Sequence, residues 1–270
     1  MRSYERLGAL VGLVVLGAGV SSYLPLPSPV LALSLPGAPF IITVPLTPAR
    51  QVSLVVALLV SALVDHTMRQ EQALQGAGLA RTFPFWVLPG TIVLWAYPYY
   101  DALQGVWPRL AMLLGLGAAV GIVVLAQTRT LRPGEHLFGV ARLALNAAAY
   151  GVALTCFYQL AILPMRALIL VPLVAFASLL LALQILESTP ISARLLWGSA
   201  ALVALLMAEL AWALSYGALA PLRASIVLLV TFYCMTGALQ QHYWSRLRRG
   251  VVLEFGAVAA LALVLLALVR

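Results

Sequence analysis

The chain has 270 residues, of which 63% are hydrophobic and only 9% are charged. Soluble domains carry about 25% charge, so this composition excludes an ordinary soluble fold and points to lipid. All sixteen basic residues are Arg, which rules out a Schiff-base lysine for retinal or pyridoxal phosphate and a phosphate-loop lysine; the net charge of +8 reads as arginines flanking membrane helices, with no nucleic-acid partner expected.

A membrane helix needs about 20 predominantly apolar residues, and nine runs approach that pattern. The first, Leu7–Leu24, follows a basic head like that of a signal peptide. Ser21-Ser22-Tyr23 offers no small-x-small cleavage site, so the run is read as an uncleaved first helix. Pro25–Pro48 is apolar too, but it holds seven of the sixteen prolines, and proline in a helix interior removes a hydrogen bond and clashes with the preceding turn. Val30–Leu35 and Phe40–Val44 are strand-like around the turn sequence Pro36-Gly37-Ala38-Pro39. The expectation is a small extracytoplasmic β-hairpin between the first two helices, with an irregular apolar loop or a tenth membrane segment as the alternatives.

Gln51–Asp65 and Phe83–Tyr100 come next and are short, as thin, tilted or partly re-entrant helices would be. The polar stretch His66–Thr82 joins them, with room for a surface helix over Met68–Leu74. Six further runs follow: Val106–Gln127, Leu137–Leu163, Met165–Leu186, Ala193–Tyr216, Leu222–Gln240 and Val251–Val269. The connections between them are turns. The expected fold is an all-α polytopic membrane protein, a bundle of about nine transmembrane helices forming one integral membrane domain over residues 1–270. Gly8 with Gly12, Gly117 with Gly121, and Ala147–Ala149 before Gly151 mark places where small residues would let helices approach closely.

Alternating the runs places eleven arginines on one side, including Arg2, Arg6, Arg69, Arg81 and the cluster Arg246, Arg248 and Arg249. Arg50, Arg109, Arg166, Arg223 and Arg270 fall on the other. The positive-inside rule then puts the N-terminus in the cytoplasm and the C-terminus outside, in a prokaryotic plasma (inner) membrane. The Arg246–Arg249 cluster suits anionic lipid headgroups. Trp95, Tyr97, Tyr99, Tyr100 and Trp107 read as an aromatic belt at the outer interface.

Few residues in the runs carry chemistry. Glu209 is the one acid deep in an apolar run, and a carboxylate there costs a few kcal/mol on insertion scales. It must be protonated, paired or facing water: either a proton or cation site, or a structural hydrogen bond to Asn146, Tyr233, Arg166 or Arg223. Asn146, Gln159 and Gln184 read as polar glue between helices. Asp65, His66, Glu135, His136 and His242 all fall on the cytoplasmic rim in this topology. No two of these histidines stand at metal-ligand spacing, so no metal or cofactor is assigned. Cys156 and Cys234 lie inside apolar runs and read as buried hydrophobes.

Three functions fit. A non-catalytic structural, accessory or assembly component, docking a protein through its outer hairpin, accounts for the short loops and the missing catalytic motifs. A small transporter or lipid-handling protein would use Glu209. A membrane enzyme acting on a lipid or isoprenoid substrate would use the rim cluster. Membrane lipids are the expected partners in every case.

Overall fold

The computed structural model describes residues 30–34, 41–45, 48–71, 78–131, 136–163, 166–217 and 219–244, with isolated positions elsewhere. The first and ninth apolar runs, the turn Pro36–Pro39, Glu135, and Arg246, Arg248 and Arg249 lie outside the described residues, apart from a few single positions in the two runs.

Within the proline-rich stretch, β1 (Val30–Ser34) pairs antiparallel with β2 (Ile41–Pro45). Leu31 stands opposite Val44 and Leu33 opposite Ile42. Pro45 closes the ladder at its end, where a missing N–H costs no internal bond. Gln51 Nε2 donates to the Pro27 carbonyl at 2.7 Å, tying the approach to the strands onto the next helix.

That helix, α1 (Pro48–Met68), has 21 residues and is about 31 Å long. It is not short, as Gln51–Asp65 had suggested: proline at the first helical position is pre-set for helix entry, and the far end continues through the polar His66 and Thr67 to the buried Met68. The helix α2 (Leu79–Thr82) lies in the following connection; the surface helix expected at Met68–Leu74 falls partly outside the described residues, at Gln72 and Ala73. Then come α3 (Pro84–Ala102) and α4 (Val106–Thr130), joined by a turn in which Gly105 has φ of 93°. That left-handed backbone is the reason for glycine there. The remaining helices are α5 (Phe138–Ile162), α6 (Ala167–Glu187), α7 (Ala193–Ser215) and α8 (Pro221–Tyr243). Among the described residues six helices, α1 and α4 to α8, are long and apolar enough to cross a membrane. In α3 the apolar stretch is the shorter Pro84–Ala96.

Packing divides the chain into two compact units. The first comprises residues 1–75 and 89–125, the second 76–88 and 126–270. In the first, α1 and α3 touch closely at Gly90, where a Cβ would lie 2.8 Å from Ser61 Oγ. The glycines singled out in the sequence behave otherwise: at Gly8, Gly12, Gly121 and Gly151 a Cβ would meet nothing within 4 Å.

The second unit is built on α5 to α8. Its most extensive contact joins α6 to α7, and α5 packs on α8. The pairs Phe138–Trp244, Asn146–Gln240 and Tyr150–Thr236 show α5 and α8 to be antiparallel. The α6 residues Leu181–Leu186 are all buried, so this end of α6 lies at the centre of the unit. The buried face of α7 is Leu196, Ser199, Ala200, Val203, Ala204, Met207 and Ala211, one stripe at helical spacing. Ser192 caps α7 by accepting from Leu195 N.

Candidate functional site

Two polar arrangements in the second unit differ in the direction they face. The first is interior and is made of amides. Gln127, Gln184 and Gln240 are each at most 4% exposed. Gln127 Nε2 donates to the Phe85 carbonyl at 3.1 Å and to Gln184 Oε1 at 3.2 Å. Gln240 Nε2 donates to the Ile185 carbonyl at 2.7 Å. Asn146 and Gln240 exchange a reciprocal amide pair at 3.2 and 3.4 Å.

Each glutamine meets a carbonyl that the backbone of its helix leaves open, the Ile185 carbonyl having only the Ser188 hydroxyl at 3.3 Å besides. Residue 89, four after Phe85, is proline and has no N–H to donate back. Ile185 is in the last turn of α6, where carbonyls have no intrahelical partner. In lipid an open carbonyl costs several kcal/mol, and these side chains supply the missing donors. Continuing along α8, Tyr150 OH and Thr236 Oγ1 lie 3.0 Å apart, and Tyr150 packs edge-on against Phe232 and Tyr233.

Beside the amide pair runs a groove of about 670 Å³ between α5 and α8. Asn146, Tyr150, Tyr233 and Gln240 line its inner part, and Phe138, Arg142 and Trp244 its outer end. The Arg142 guanidinium stands over the Trp244 ring, 5.0 Å from its centre.

The second arrangement faces outward. Glu209 is exposed, two residues from both Met207 and Ala211 on the buried stripe and so about 200° around the helix from each. It borders a shallow groove of about 390 Å³ whose other walls are Val171, Ala208, Trp212 and Ala213. Among the described residues nothing hydrogen-bonds to it. One turn on, Trp212 Nε1 donates to Tyr216 OH at 2.9 Å. The three residues grouped as an intramembrane site are therefore divided: Asn146 and Tyr233 share the α5–α8 groove, and Glu209 lies on the outer surface of α7.

Asp65, His66 and His242 of the rim set each have a neighbour of their own. Arg69 Nε donates to Asp65 Oδ2 at 2.7 Å. His66 Nε2 lies 2.9 Å from Gln70 Nε2, four residues on and just past the end of α1. His136 is exposed just before α5, and His242 rests edge-on against Tyr243. Among the described residues no three His, Cys, Asp or Glu side chains are grouped as a metal ion would need. Of the aromatic belt, Trp107 is 82% exposed, whereas Tyr100 is buried with Arg109 over its ring.

Sequence reasoning missed Gln127, Gln240, Arg142 and Trp244. Gln127 and Gln240 stood at the ends of apolar runs and read as boundaries. Pro89 held the available signal, because a proline inside a membrane helix implies an open carbonyl four residues earlier.

Apolar helices tied together by buried amides define a helical membrane protein. The chain belongs to the DUF5656 family, described as a protein of unknown function, whose model matches residues 26–269. No curated protein and no solved structure matches the chain.

Proposed function

We propose that this protein is a non-catalytic component of a prokaryotic plasma membrane, one that associates with another membrane protein through the outer face of α7. The observation that carries the reading is Glu209, an acid on an outward, otherwise apolar surface with no partner among the described residues. A carboxylate facing hydrocarbon costs about 2.5–3.5 kcal/mol on insertion scales. A partner helix donating a hydrogen bond from Arg, Lys, Tyr, Ser or Thr removes that cost. The groove of Val171, Ala208, Trp212 and Ala213 gives such a helix an apolar seat.

The interior amides support the same reading, because they are spent on holding helices together. A transport path through Glu209 would need polar groups leading away from it, and the other walls of its groove are apolar. In the proposed orientation the N-terminus is cytoplasmic and the C-terminus outside, on the strength of the arginine bias. The paired strands β1 and β2 then lie on the outer side and give a second place for a protein partner.

The test is photo-crosslinking in intact membranes from Leu205 and Ala213, which are exposed on either side of Glu209. Both positions should give a discrete protein adduct that Glu209→Ala abolishes, and a probe at Ile122, exposed on α4, should not. Labelling by lipid alone at all three positions would overturn the reading.

A further inference from the structure

The groove between α5 and α8 has the dimensions and chemistry of a site for a single phospholipid. Its α5 wall runs from Phe138 to Tyr150, twelve residues on, a rise of about 18 Å. Half of a ~30 Å hydrocarbon layer is about 15 Å. Tyr150 is the middle residue of the 25-residue helix α5, so the groove extends from one end of the bundle to about its midplane. That is the depth of one leaflet.

The polar groups are arranged accordingly. Arg142 sits one turn inside the start of α5, and a helical side chain leans toward the N-terminus of its helix, so its guanidinium reaches back to headgroup level. There the Trp244 ring holds it from one side. Deeper in, Asn146 and Gln240 bond each other, Gln240 also donates to the Ile185 carbonyl, and Tyr150 pairs with Thr236. These bonds run between protein groups, and the rest of the channel is mostly apolar, as an acyl chain needs. Ala147 is exposed on the rim and Gly237 lies on the facing helix, and both keep the channel open by being small.

We infer that the α5–α8 groove binds one anionic phospholipid of the adjoining leaflet, with its phosphate at Arg142 and an acyl chain along Ala147 and Gly237 toward Tyr150. Specificity rests on the headgroup charge, since the channel itself accepts any chain.

Full-length protein would be reconstituted in phosphatidylcholine vesicles with and without phosphatidylglycerol, then extracted and weighed intact to count the lipid that stays bound. The wild type should retain one phosphatidylglycerol about fivefold in preference to phosphatidylcholine, the preference one arginine gives at a headgroup. Arg142→Gln should erase the preference and Arg142→Lys should keep it. Ala147→Phe, which fills the channel from its exposed rim, should lose retained lipid of both kinds. Excess inorganic phosphate should not displace the lipid; displacement would make this a free-anion site and overturn the proposal. Equal retention of the two lipids by the wild type, or unchanged retention in Ala147→Phe, would overturn it too. If Arg142→Gln does not fold, the wild type, Arg142→Lys and Ala147→Phe decide the question among themselves.

Discussion

Gln240 and Glu209 are both polar residues in apolar helices of the same unit, yet they have opposite fates. Gln240 is 4% exposed and its amide engages the Ile185 carbonyl and Asn146. Glu209 is exposed and has no partner among the described residues. Hydropathy treats the two alike, as local dips in an apolar run. What separates them is the face each occupies, since α8 buries Phe232, Thr236 and Gln240 on one stripe while Glu209 stands opposite the stripe of α7. A buried amide that completes a neighbour's backbone works inside the fold, whereas an outward acid is poised to meet something that is not part of it.

The comparison breaks most sharply at Gln240. Gln240→Leu leaves both the Ile185 carbonyl and the Asn146 amide short of a partner. An unmade hydrogen bond at a buried group costs about 1–3 kcal/mol, and Ser188 Oγ still donates to Ile185 at 3.3 Å. The expected loss is about 2–3 kcal/mol, read as a fall in unfolding free energy in mild detergent. A loss below about 0.5 kcal/mol, the level of an ordinary surface change, would mean that the amide tie is decorative.

Gln127→Leu is the next largest effect, at about 1–2 kcal/mol, because Gln127 Oε1 has no partner among the described residues and its removal offsets part of the loss. A double-mutant cycle with Pro89→Ala sharpens the interpretation. Alanine at position 89 restores an N–H that can bond the Phe85 carbonyl within α3, so Gln127→Leu should cost at least about 0.5 kcal/mol less in that background. Additive losses would show that Gln127 acts through Gln184 alone.

Much of this was legible in the chain. The runs that became α4 to α8 were found within a few residues of their ends, because about 20 apolar residues between arginines or prolines leave little choice in lipid. Asn146 and Gln184 were read as glue between helices, and both bond across helices. The facing of Glu209 was harder. Its depth follows from counting, but its direction depends on which stripe of α7 meets α6, and Ser199, Ala200, Val203 and Ala204 reveal that stripe only once neighbours are known. The small-residue pairs misled for the same reason: glycine permits close approach without requiring it, and Gly90 rather than Gly121 is where two helices meet. The α5–α8 groove was invisible, since it is made by residues about 90 positions apart.

The smallest predicted effect tests the other half of the comparison. If Glu209 met a partner within its own fold, Glu209→Leu would destabilise the isolated protein as the glutamine changes do. Facing outward, it loses no internal bond when replaced, and leucine suits the apolar walls of its groove. Unfolding free energy in detergent should therefore change by no more than about 0.5 kcal/mol. In the membrane the variant should insert at least as well, because a costly group has been removed from the hydrocarbon face. The same substitution should nonetheless abolish the adduct formed from Leu205 and Ala213. Loss of association at constant stability is the signature of a residue kept for a partner, and a drop of 2 kcal/mol or so, the scale of a lost buried bond, would instead return Glu209 to the interior network.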